Sequence, residues 1–440
     1  MFSLKKSLKS IHLEHRKNTM NLNTEIMPVP DKVFLSVVQH IGKPCEPLVR
    51  IGDNVKVGQL IADSKALISA PIHSSVSGKV VNIEYIMSSL GSTDKTIIIE
   101  TDKKQELWEG IAPPVINNRK DFINAIRESG LVGLGGAAFP THVKYNPKNI
   151  DEVDTLIVNG AECEPYITSD YRAMMEDTKS IVDGITIIMN YLELKKCYIG
   201  IEKNKPLAII KLMEATKDME GVTVVYLESS YPQGAERVLI YETTGKTLLP
   251  GKLPADIGMI VSNIATVGFV AEYIKTGIPL VSKRVTVDGN AVNIPKNLRV
   301  PIGARICDII DCCGGYSKPP KKILMGGPMM GRAIYNHEKA LIKNNNAILV
   351  FDYEMAKVLK ESACINCGRC YLNCPLNLMP TAIAKEYDRN NIDALKKLKV
   401  TICMECGCCT YVCPAKKQLS MINRLSKQLV LQEGKNNGII

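Results

Sequence analysis

The sequence predicts a multidomain α/β protein, and three observations predict it. Short β-runs separated by glycines occupy the N-terminal part of the 440-residue chain, alternating β and α patterns fill its middle, and two cysteine runs interrupt a helical C-terminus. At this length about three domains are expected, each large enough to bury its own core. We place an irregular basic arm at 1–30 and four domains at 31–115, 116–280, 281–350 and 351–440.

The composition is that of an ordinary globular protein, 45% hydrophobic and 23% charged, with a net charge of +10. With one Trp and six Phe the chain has no aromatic platform among its basic residues, so nucleic acid is not expected as a partner. We expect a solvated N-terminal arm, and contact with a membrane subunit or anionic lipid is the alternative. The arm contains the densest basic cluster: Lys5, Lys6, Lys9, Arg16 and Lys17.

Cysteine usage predicts a reducing compartment, because eight of the fifteen cysteines have metal-cluster spacing and the first twenty residues lack a signal peptide. The longest apolar stretch, Ile257 to Ala271, is too short to span a bilayer. We therefore expect a cytoplasmic chain that does not cross a membrane by itself. Six cysteines outside the runs are expected to be buried thiols: Cys45, Cys163, Cys197, Cys307, Cys312 and Cys313.

The β-runs of 31–115 predict a barrel-sandwich-like scaffold. Glycines at 52, 58 and 78 separate strands of four to six residues, and the run from Pro47 to Val81 resembles biotinyl and lipoyl carrier domains. Lys65 lies near the place of a carrier lysine. Its distance from Ala70-Pro71 is shorter than the carrier hairpin needs, so a scaffold is expected rather than a modified lysine.

The period changes after the β domain. Strands at Leu156, Cys197 and Val222 alternate with helices at about 171–193 and 206–217, which indicates a Rossmann-like parallel sheet. Residues 281–320 return to short β-runs and resemble a β-grasp insert of the soluble-ligand-binding type. From 355 onward the chain is helical between its cysteine runs.

The two cysteine runs share the spacing C-x₂-C-x₂-C-x₃-C-P, which is the two-cluster ferredoxin signature. In that signature the fourth cysteine of each run ligates the other run's cluster. Two zinc sites are the rival, but zinc sites usually show two separated C-x₂-C pairs. Cys408 is expected to be a thiol that binds no metal. The expected ligands of one 4Fe–4S cluster are Cys364, Cys367, Cys370 and Cys413, and those of the other are Cys374, Cys403, Cys406 and Cys409.

A glycine-rich loop, Gly130 to Lys144, precedes a second motif, Val158-Asn-Gly-Ala-Glu-Cys-Glu-Pro165. Glycines let backbone N–H groups approach a phosphate, and Lys144 can add a countercharge. Asn159 can bond a flavin edge, and Glu162 and Glu164 suit ribose hydroxyls or a nicotinamide amide. Alone, such a loop is often only a tight turn.

Together these segments resemble the NADH-binding flavoprotein subunit of respiratory complex I, with "GLGGAAFPT" similar to its "GRGGAGFPT" and "NGAECEP" similar to its "NADEGEP". Tyr231 to Glu236 is similar to its "YICGEE" loop. The resemblance implies an FMN and NAD(H) site in which Glu162, Glu164 and Glu236 line the flavin–nicotinamide face. The implied FMN-binding residues are Gly133, Gly135, Gly136, Lys144, Asn159, Gly234, Ser262 and Asn263.

The N-terminal run "QHIGKP…PLVRIGDNVKVGQLI…APIHSSVSGKV" and the segment "KILMGGPMMG" add to these motifs. With them, the chain from about residue 30 to 420 resembles the family of C subunits of Rnf electron transport complexes. That family implies a peripheral NAD(H) subunit at the cytoplasmic face of a membrane, working with other subunits that move Na⁺ or H⁺ and, indirectly, with ferredoxin. A flavin is the expected converter, because nicotinamides exchange electrons in pairs and iron–sulfur clusters exchange them singly.

Two alternatives remain open at the level of the sequence. A cobalamin-reductase-like protein shares these modules and would reduce a corrinoid enzyme. A cluster-only relay subunit would have lost nicotinamide binding, as suggested by Leu134, Ala235 and Leu249, which depart from the complex I pattern.

Overall fold

The computed structural model describes residues 8–87 and 92–436. Within these ranges the N-terminal segment packs on the protein, which corrects the expected solvated arm. Ile11 and Tyr231 exchange two backbone hydrogen bonds of 2.9 Å, and the guanidinium of Arg16 donates to the Tyr166 hydroxyl at 2.9 Å. Residues 24–26 are not irregular but form strand β1 (Thr24–Ile26), parallel to residues 297–299. Lys5 and Lys6 lie outside the described residues.

The first domain is built from two small antiparallel sheets, with strand orders β2-β8-β7-β4 and β3-β5-β6. Lys65 lies in the exposed loop between β5 and β6, and the expectation that it is unmodified stays a prediction. The strands are β2 (Lys32–Ser36), β3 (Glu46–Pro47), β4 (Asn54–Val55), β5 (Leu60–Asp63), β6 (Ile72–His73), β7 (Gly78–Met87) and β8 (Thr93–Thr101).

The second domain contains a four-stranded parallel sheet of order β11-β10-β9-β12 with helices between its strands. The elements are α1 (Arg119–Glu128), α2 (Thr141–Lys144), β9 (Thr155–Asn159), α3 (Ser169–Glu176), α4 (Thr178–Leu192), β10 (Lys196–Glu202), α5 (Pro206–Thr216), β11 (Val222–Leu227), α6 (Glu236–Thr244), β12 (Met259–Asn263) and α7 (Ile264–Thr276).

The helix expected at 171–193 is in fact two helices, α3 and α4, which meet at Asp177. The Asp177 carboxylate accepts from the guanidinium of Arg284 at 2.7 Å, so the break serves a contact with the next domain. The apolar stretch Ile257 to Ala271 becomes strand β12 and the first part of α7. No helix in the described ranges is long and apolar enough to cross a membrane.

One hydrophobic core runs through the first two domains. Val33 and Ile99 of the small sheets share it with Phe122 and Ile185 of the helical layer, all with no exposed surface. The two domains therefore pack on one another, and Leu131, Val132 and Leu134 of the glycine-rich loop belong to the same core.

The third domain contains a six-stranded mixed sheet of order β1-β14-β13-β17-β15-β16, so the N-terminal strand β1 closes one edge. Its elements are β13 (Ser282–Asp288), β14 (Lys296–Pro301), α8 (Ile306–Cys312), β15 (Lys322–Met325), β16 (Arg332–Ile334) and β17 (Ala347–Phe351).

The C-terminal domain is helical, as expected. Each cysteine run is a loop that contains one short helix, and the longest helix packs against the short helix of the second run. The helices are α9 (Arg369–Leu372), α10 (Pro380–Asp388), α11 (Ile392–Lys397), α12 (Cys408–Tyr411) and α13 (Leu419–Asn436).

Candidate flavin and iron–sulfur sites

The predicted flavin residues meet at the carboxyl edge of the parallel sheet, where ligands bind in open α/β sheets. Asn159 ends β9, and Asn263 ends the neighbouring strand β12 in register with it. The glycine-rich loop crosses this edge: a side chain at Gly135 would lie 2.4 Å from the Asn263 amide nitrogen. The fold therefore brings three separate sequence motifs to one place.

Gly133, Gly135 and Gly136 of this loop are glycines for different physical reasons. Gly135 is required by its contact with Asn263, whereas a side chain at Gly136 would meet no atom within 4 Å and one at Gly133 only ordinary contacts of 3.8 Å. Protein packing does not explain the last two, which suits a ligand lying against the loop. The buried ammonium of Lys283 donates to the Leu134 carbonyl and so holds the loop in place.

Lys144 and Glu236 form a charged pair beside the loop. The Lys144 ammonium lies 3.7 Å from a Glu236 carboxylate oxygen and donates to the Val261 carbonyl at 2.9 Å. Both side chains are partly exposed, 31% for Lys144 and 43% for Glu236. A cation and an anion are thus available to a ligand that binds at the carboxyl edge of the sheet.

Asn159 connects the second motif with the loop after Tyr231. Its amide nitrogen donates to the Gly234 carbonyl at 2.9 Å, and its amide oxygen accepts from the N–H of Ala161 at 3.1 Å. A side chain at Gly234 would approach the Ala161 carbonyl to 2.8 Å, so only glycine permits this contact.

The Glu162 carboxylate lies at the start of α3 rather than beside the partly exposed pair Lys144 and Glu236. Its buried carboxylate accepts from the N–H groups of Asp170 at 2.7 Å and Tyr171 at 3.3 Å, the usual place for an anion at a helix N-terminus. Burial raises the pKa of Glu162.

Glu164 bonds to a different element, the turn between β15 and β16. Its carboxylate accepts from the N–H groups of Met329 at 2.9 Å and Met330 at 2.8 Å. Burial raises the pKa of Glu164 to about 7. The motif thereby joins the parallel sheet to the third domain.

Ser262 and Asn263 also have protein partners. The Ser262 hydroxyl lies 3.0 Å from the Tyr145 hydroxyl, and the Asn263 amide oxygen caps α7 while its nitrogen donates to Asp170 at 2.7 Å. These two residues shape the edge of the sheet.

Lys17 is a residue of this site that the sequence did not single out. Its ammonium donates to the carbonyls of Glu162, Glu164 and Ile167 at 2.8, 2.8 and 2.6 Å, closing the second motif from the N-terminal side. The only signal in the sequence was a basic cluster without a motif, so the contact was not foreseeable.

The residues present fit a flavin phosphate and ring. Three buried side-chain polar atoms of these loops have no partner among the described residues: the hydroxyl of Thr141, the Nδ1 of His142 and the amide nitrogen of Gln233. They belong to the two loops that the resemblance assigned to FMN, and open space faces Gly136.

The cysteines of the two runs line two cavities in the C-terminal domain, and their role as cluster ligands stays a prediction. The first cavity has a volume of about 240 Å³ and the second about 20 Å³. In the described residues no three His, Cys, Asp or Glu side chains converge tightly enough for a single metal ion. The first cavity is lined by Cys364, Cys367, Cys370 and Cys413, and the second by Cys374, Cys403, Cys406 and Cys409, with Cys408 beside them.

The second cavity lies against the flavin loops. The Tyr231 hydroxyl donates to the Cys406 carbonyl at 2.7 Å, and a side chain at Gly407 would lie 3.0 Å from the Met329 carbonyl. Cys364 and Cys367 of the first cavity are exposed. The two cysteine cavities thus differ in their surroundings, one next to the flavin loops and one with cysteines at the surface.

The remaining cysteines are only partly as expected. Cys45, Cys197 and Cys313 are buried, whereas the other three are half-buried: Cys163, Cys307 and Cys312. Cys163 lies in the second motif, and its sulfur accepts from the Gly234 N–H at 3.5 Å.

Comparison with known proteins gives one family model for each part of the chain. Residues 6–104 match the RnfC barrel sandwich hybrid domain, and residues 126–272 match the Nuo51 FMN-binding domain. Residues 284–333 match the SLBB domain, and residues 356–414 match the 4Fe-4S dicluster domain. The FMN and 4Fe–4S assignments therefore have support independent of the cavities.

Whole-chain relatives are similar over most of their length. The chain is 45% identical over 84% of its length to the C subunit of the proton-translocating ferredoxin:NAD(+) oxidoreductase complex of Clostridium ljungdahlii, covering 82% of that protein. It is 38% identical over 97% of its length to the Na(+)-translocating counterpart of Acetobacterium woodii, covering 98% of it. The chain belongs to the family of Rnf C subunits.

A third relative in this family, the C subunit of an ion-translocating oxidoreductase complex from Rhodobacter capsulatus, is 36% identical over 88% of this chain and 76% of its own length. Among solved structures, an NAD+-reducing [NiFe]-hydrogenase in the H2-reduced state matches with a TM-score of 0.51 at 17% identity. That match covers 72% of this chain and 63% of the hydrogenase chain, less than two thirds of it, and shows the fold alone.

Proposed function

We propose that this chain is the peripheral NAD(H)-oxidising or NAD(H)-reducing subunit of a membrane ferredoxin:NAD⁺ oxidoreductase complex. Electrons pass between NADH, FMN and two 4Fe–4S clusters, and other subunits couple the transfer to Na⁺ or H⁺ movement. One observation carries the proposal: the loop from Tyr231 to Glu236 borders the flavin edge and bonds directly to the cysteine loop at Cys406.

Some of the predicted flavin residues would contact FMN directly, and the others maintain the shape of the sheet edge. Gly133 and Gly136 leave backbone open to FMN, and Lys144 supplies the countercharge for its phosphate. Asn159 contributes through its half-buried amide at the strand end. Four other predicted residues keep the edge in shape: Gly135, Gly234, Ser262 and Asn263.

The three acidic residues have separate tasks. Glu236 is the carboxylate that faces NAD(H), because its side chain is 43% exposed beside Lys144. Glu162 and Glu164 act on the nicotinamide face through the loop that they brace, since their carboxylates already accept backbone N–H groups. Bound FMN supplies the exchange between electron pairs and single electrons.

The cluster ligands are the two cysteine sets that line the cavities, with Cys408 outside both. Crossing the fourth ligands, Cys374 and Cys413, ties the two runs into one unit and fixes the distance between the clusters. Electrons from the flavin edge enter at the Cys406 side, because that cavity borders the flavin loops.

The domain boundaries at 30, 115, 280 and 350 form part of the proposal, as do a Rossmann-like sheet in the second domain and a β-grasp arrangement in the third. The alternation of strands and helices around the parallel sheet supports the Rossmann-like assignment of the second domain. The relatives' names support a place at a membrane with other subunits. Use of NAD(H) favours the cytoplasmic face.

The test is an anaerobic NADH titration of the purified, iron-reconstituted chain with FMN added. Flavin absorbance and the paramagnetic resonance of the clusters are followed together. We expect flavin bleaching followed by cluster signals. A Glu236→Gln variant should raise the NADH concentration needed for half-bleaching, while Lys120→Gln, on an exposed face of α1, should not.

Clusters that dithionite reduces while NADH leaves the flavin oxidised would contradict the proposal. That result would favour the cluster-only relay, to which the buried positions of Glu162 and Glu164 lend support.

A further inference from the structure

We infer that Asn423 of α13 raises the reduction potential of the cluster in the second cysteine cavity, by donating a hydrogen bond from its side-chain amide to the Cys403 sulfur. The amide nitrogen lies 3.8 Å from that sulfur, and Asn423 lines the cavity. The inference rests on the proposed cluster ligands and deepens the proposed relay, because it names what makes the second cluster reducible from the flavin side.

Asn423 occupies a place in which a polar side chain is costly. The residue is 1% exposed, and its amide oxygen has no partner among the described residues. Leaving a buried polar atom unpaired costs about 1–3 kcal/mol, and an apolar residue of the same shape avoids that cost. The neighbouring Cys403 belongs to an apolar cluster with Leu378 and Val400. Stability therefore does not explain an asparagine at this position, whereas a bond to the sulfur does.

The chemistry of the sulfur decides which end of the Asn423 amide suits it. A cysteine that ligates an iron–sulfur cluster is a thiolate, which carries negative charge and accepts hydrogen bonds. The amide oxygen would repel such a sulfur, and the amide N–H attracts it. Reduction adds one negative charge to the cluster, so an N–H donor stabilises the reduced state more than the oxidised state and raises the potential.

The two cysteine sets differ in their exposure to water. Cys403 and Cys406 are buried, whereas Cys364, Cys367 and the neighbouring Asn366 are exposed. Water stabilises the added charge of a reduced cluster at the surface, and a buried cluster lacks that stabilisation. A cluster at the buried set is therefore harder to reduce unless donors of the protein replace the water.

The cations near the second cavity do not supply this stabilisation, because a carboxylate balances them. Glu405 accepts from the Arg424 guanidinium at 2.7 Å and from the Lys427 ammonium at 3.3 Å. The donors that reach the sulfurs of this set are uncharged: the Asn423 amide and the backbone N–H of Leu378, which lies 3.3 Å from the sulfur of Cys374. Of these two, only the amide depends on the identity of a side chain.

The first cysteine run has an apolar residue at the position equivalent to Asn423. Helices α10 and α13 follow the two runs in the same way, each beginning shortly after a residue with a positive φ, 55° at Asn377 and 56° at Lys416. The fifth residue of α13 is Asn423, and the fifth residue of α10 is Ala384, which packs against the apolar cluster of Cys370. The amide thus distinguishes the buried cluster from the exposed one.

The test is a potentiometric titration of the full chain, reconstituted with iron, sulfide and FMN. Samples are poised anaerobically with redox mediators, and paramagnetic resonance gives the two one-electron steps of the clusters. The variant is Asn423→Leu, which keeps the size of the side chain and removes its donor. The matched control is Ser426→Ala, which removes a buried hydroxyl of the same helix that donates to the Ile422 carbonyl at 2.8 Å. Iron content and melting temperature are measured for each protein.

We expect one of the two steps to move to lower potential in Asn423→Leu. One hydrogen bond to a charged acceptor corresponds to an equilibrium constant for reduction that is about tenfold smaller, or about 59 mV for one electron. The other step should stay, as should both steps of Ser426→Ala. The melting temperature should not fall, because the variant buries no unpaired amide. Asn423→Ala, which also removes the donor, replaces Asn423→Leu if iron is lost.

Unchanged potentials in the variant at full iron content would overturn the inference. Equal shifts of both steps, or the same shift in Ser426→Ala, would also overturn it, because the packing of α13 and not the amide would then set the potential. Mediators rather than NADH carry the electrons, so the result does not depend on the NADH titration. A wild-type chain that binds no clusters would remove the proposed function as well, whereas unchanged potentials would remove this inference alone.

Discussion

The phenolic hydroxyl of Tyr231 donates a 2.7 Å hydrogen bond to the backbone carbonyl of Cys406. The two residues are 175 positions apart and belong to the flavin loop and the second cysteine run. Tyr231 is 1% exposed, so the contact is dry and fixed. It makes the junction between the proposed flavin site and the proposed cluster a single packed unit.

Replacing Tyr231 with Phe should loosen that junction. We expect a loss of about 1 kcal/mol in stability from one buried hydrogen bond, with iron content unchanged and slower reduction of the clusters by NADH. Rapid-freeze paramagnetic resonance measures the rate. The control is Tyr191→Phe, which removes a hydroxyl bonded to the remote Ile116 carbonyl at 3.3 Å. Equal rates in both variants would show that Tyr231 does not matter for transfer.

Lys17→Met should weaken the flavin site from outside the motifs. The change removes the donor shared by the carbonyls of Glu162, Glu164 and Ile167, and leaving buried acceptors unsatisfied costs on the order of 1–3 kcal/mol. We expect a lower melting temperature and reduced FMN retention with full iron content. The exposed Lys43→Met serves as the control. Full retention of FMN would mean that the second motif holds its shape without Lys17.

Cysteine variants test the assignment of ligands. Cys367→Ala should remove one cluster and leave about four of about eight iron atoms, since each cluster holds four. Cys408→Ala should keep the full iron content, although Cys408 is as buried as its neighbours. Iron and acid-labile sulfide analysis gives both numbers. Loss of iron in Cys408→Ala would move a ligand role to that residue.

Lys144→Ala should lower FMN occupancy several-fold without changing iron content, because its ammonium is the cation beside the glycine loop. Fluorescence of released flavin measures occupancy. The variant also removes the contact with the Val261 carbonyl, so Lys144→Gln, which can keep that bond, separates charge from structure. Normal occupancy in both variants would place the phosphate elsewhere.

Lys343 predicts a pH-dependent stability. Its ammonium donates to the Pro71 and Gly130 carbonyls, both at 2.7 Å, and burial lowers its pKa to about 7. An unfolded lysine titrates near about 10.4, so between these values the unfolded chain binds more protons. The free energy of unfolding should therefore rise with pH in that window, by at most about 1.4 kcal/mol per pH unit.

Denaturant unfolding of the wild type and Lys343→Met at pH 7 and pH 9 measures this effect. We expect the wild type to gain stability relative to the variant at the higher pH. The same difference at both values would show that Lys343 does not titrate in this window.

The sequence predicted two cysteine sets because each run has the two-cluster spacing, in which the first three cysteines bind one cluster and the fourth binds the other. It predicted three of the four strands of the parallel sheet, since Leu156, Cys197 and Val222 begin apolar β-runs between helices, but it did not predict β12 within the apolar stretch Ile257 to Ala271. It missed the break between α3 and α4 within 171–193, where Asp177 pairs with Arg284, more than a hundred positions away.

The roles of the acidic residues show the same limit. Glu162 and Glu164 occupy similar contexts in the motif, two residues apart, yet one caps α3 and the other holds the turn at Met329. Only the tertiary structure places the backbone N–H groups of a different segment beside each carboxylate.

By itself the sequence determined which residue types are present at which spacing, and hence the family, the glycine loop and the expected cluster ligands. The tertiary structure decided what lies beside what: Lys17 under the second motif, Tyr231 on Cys406 and Cys364 at the surface. The physical reason is that ligand spacing and periodicity act within one turn or loop. Contacts between distant segments depend instead on the shape of the whole packed core, which no local pattern encodes.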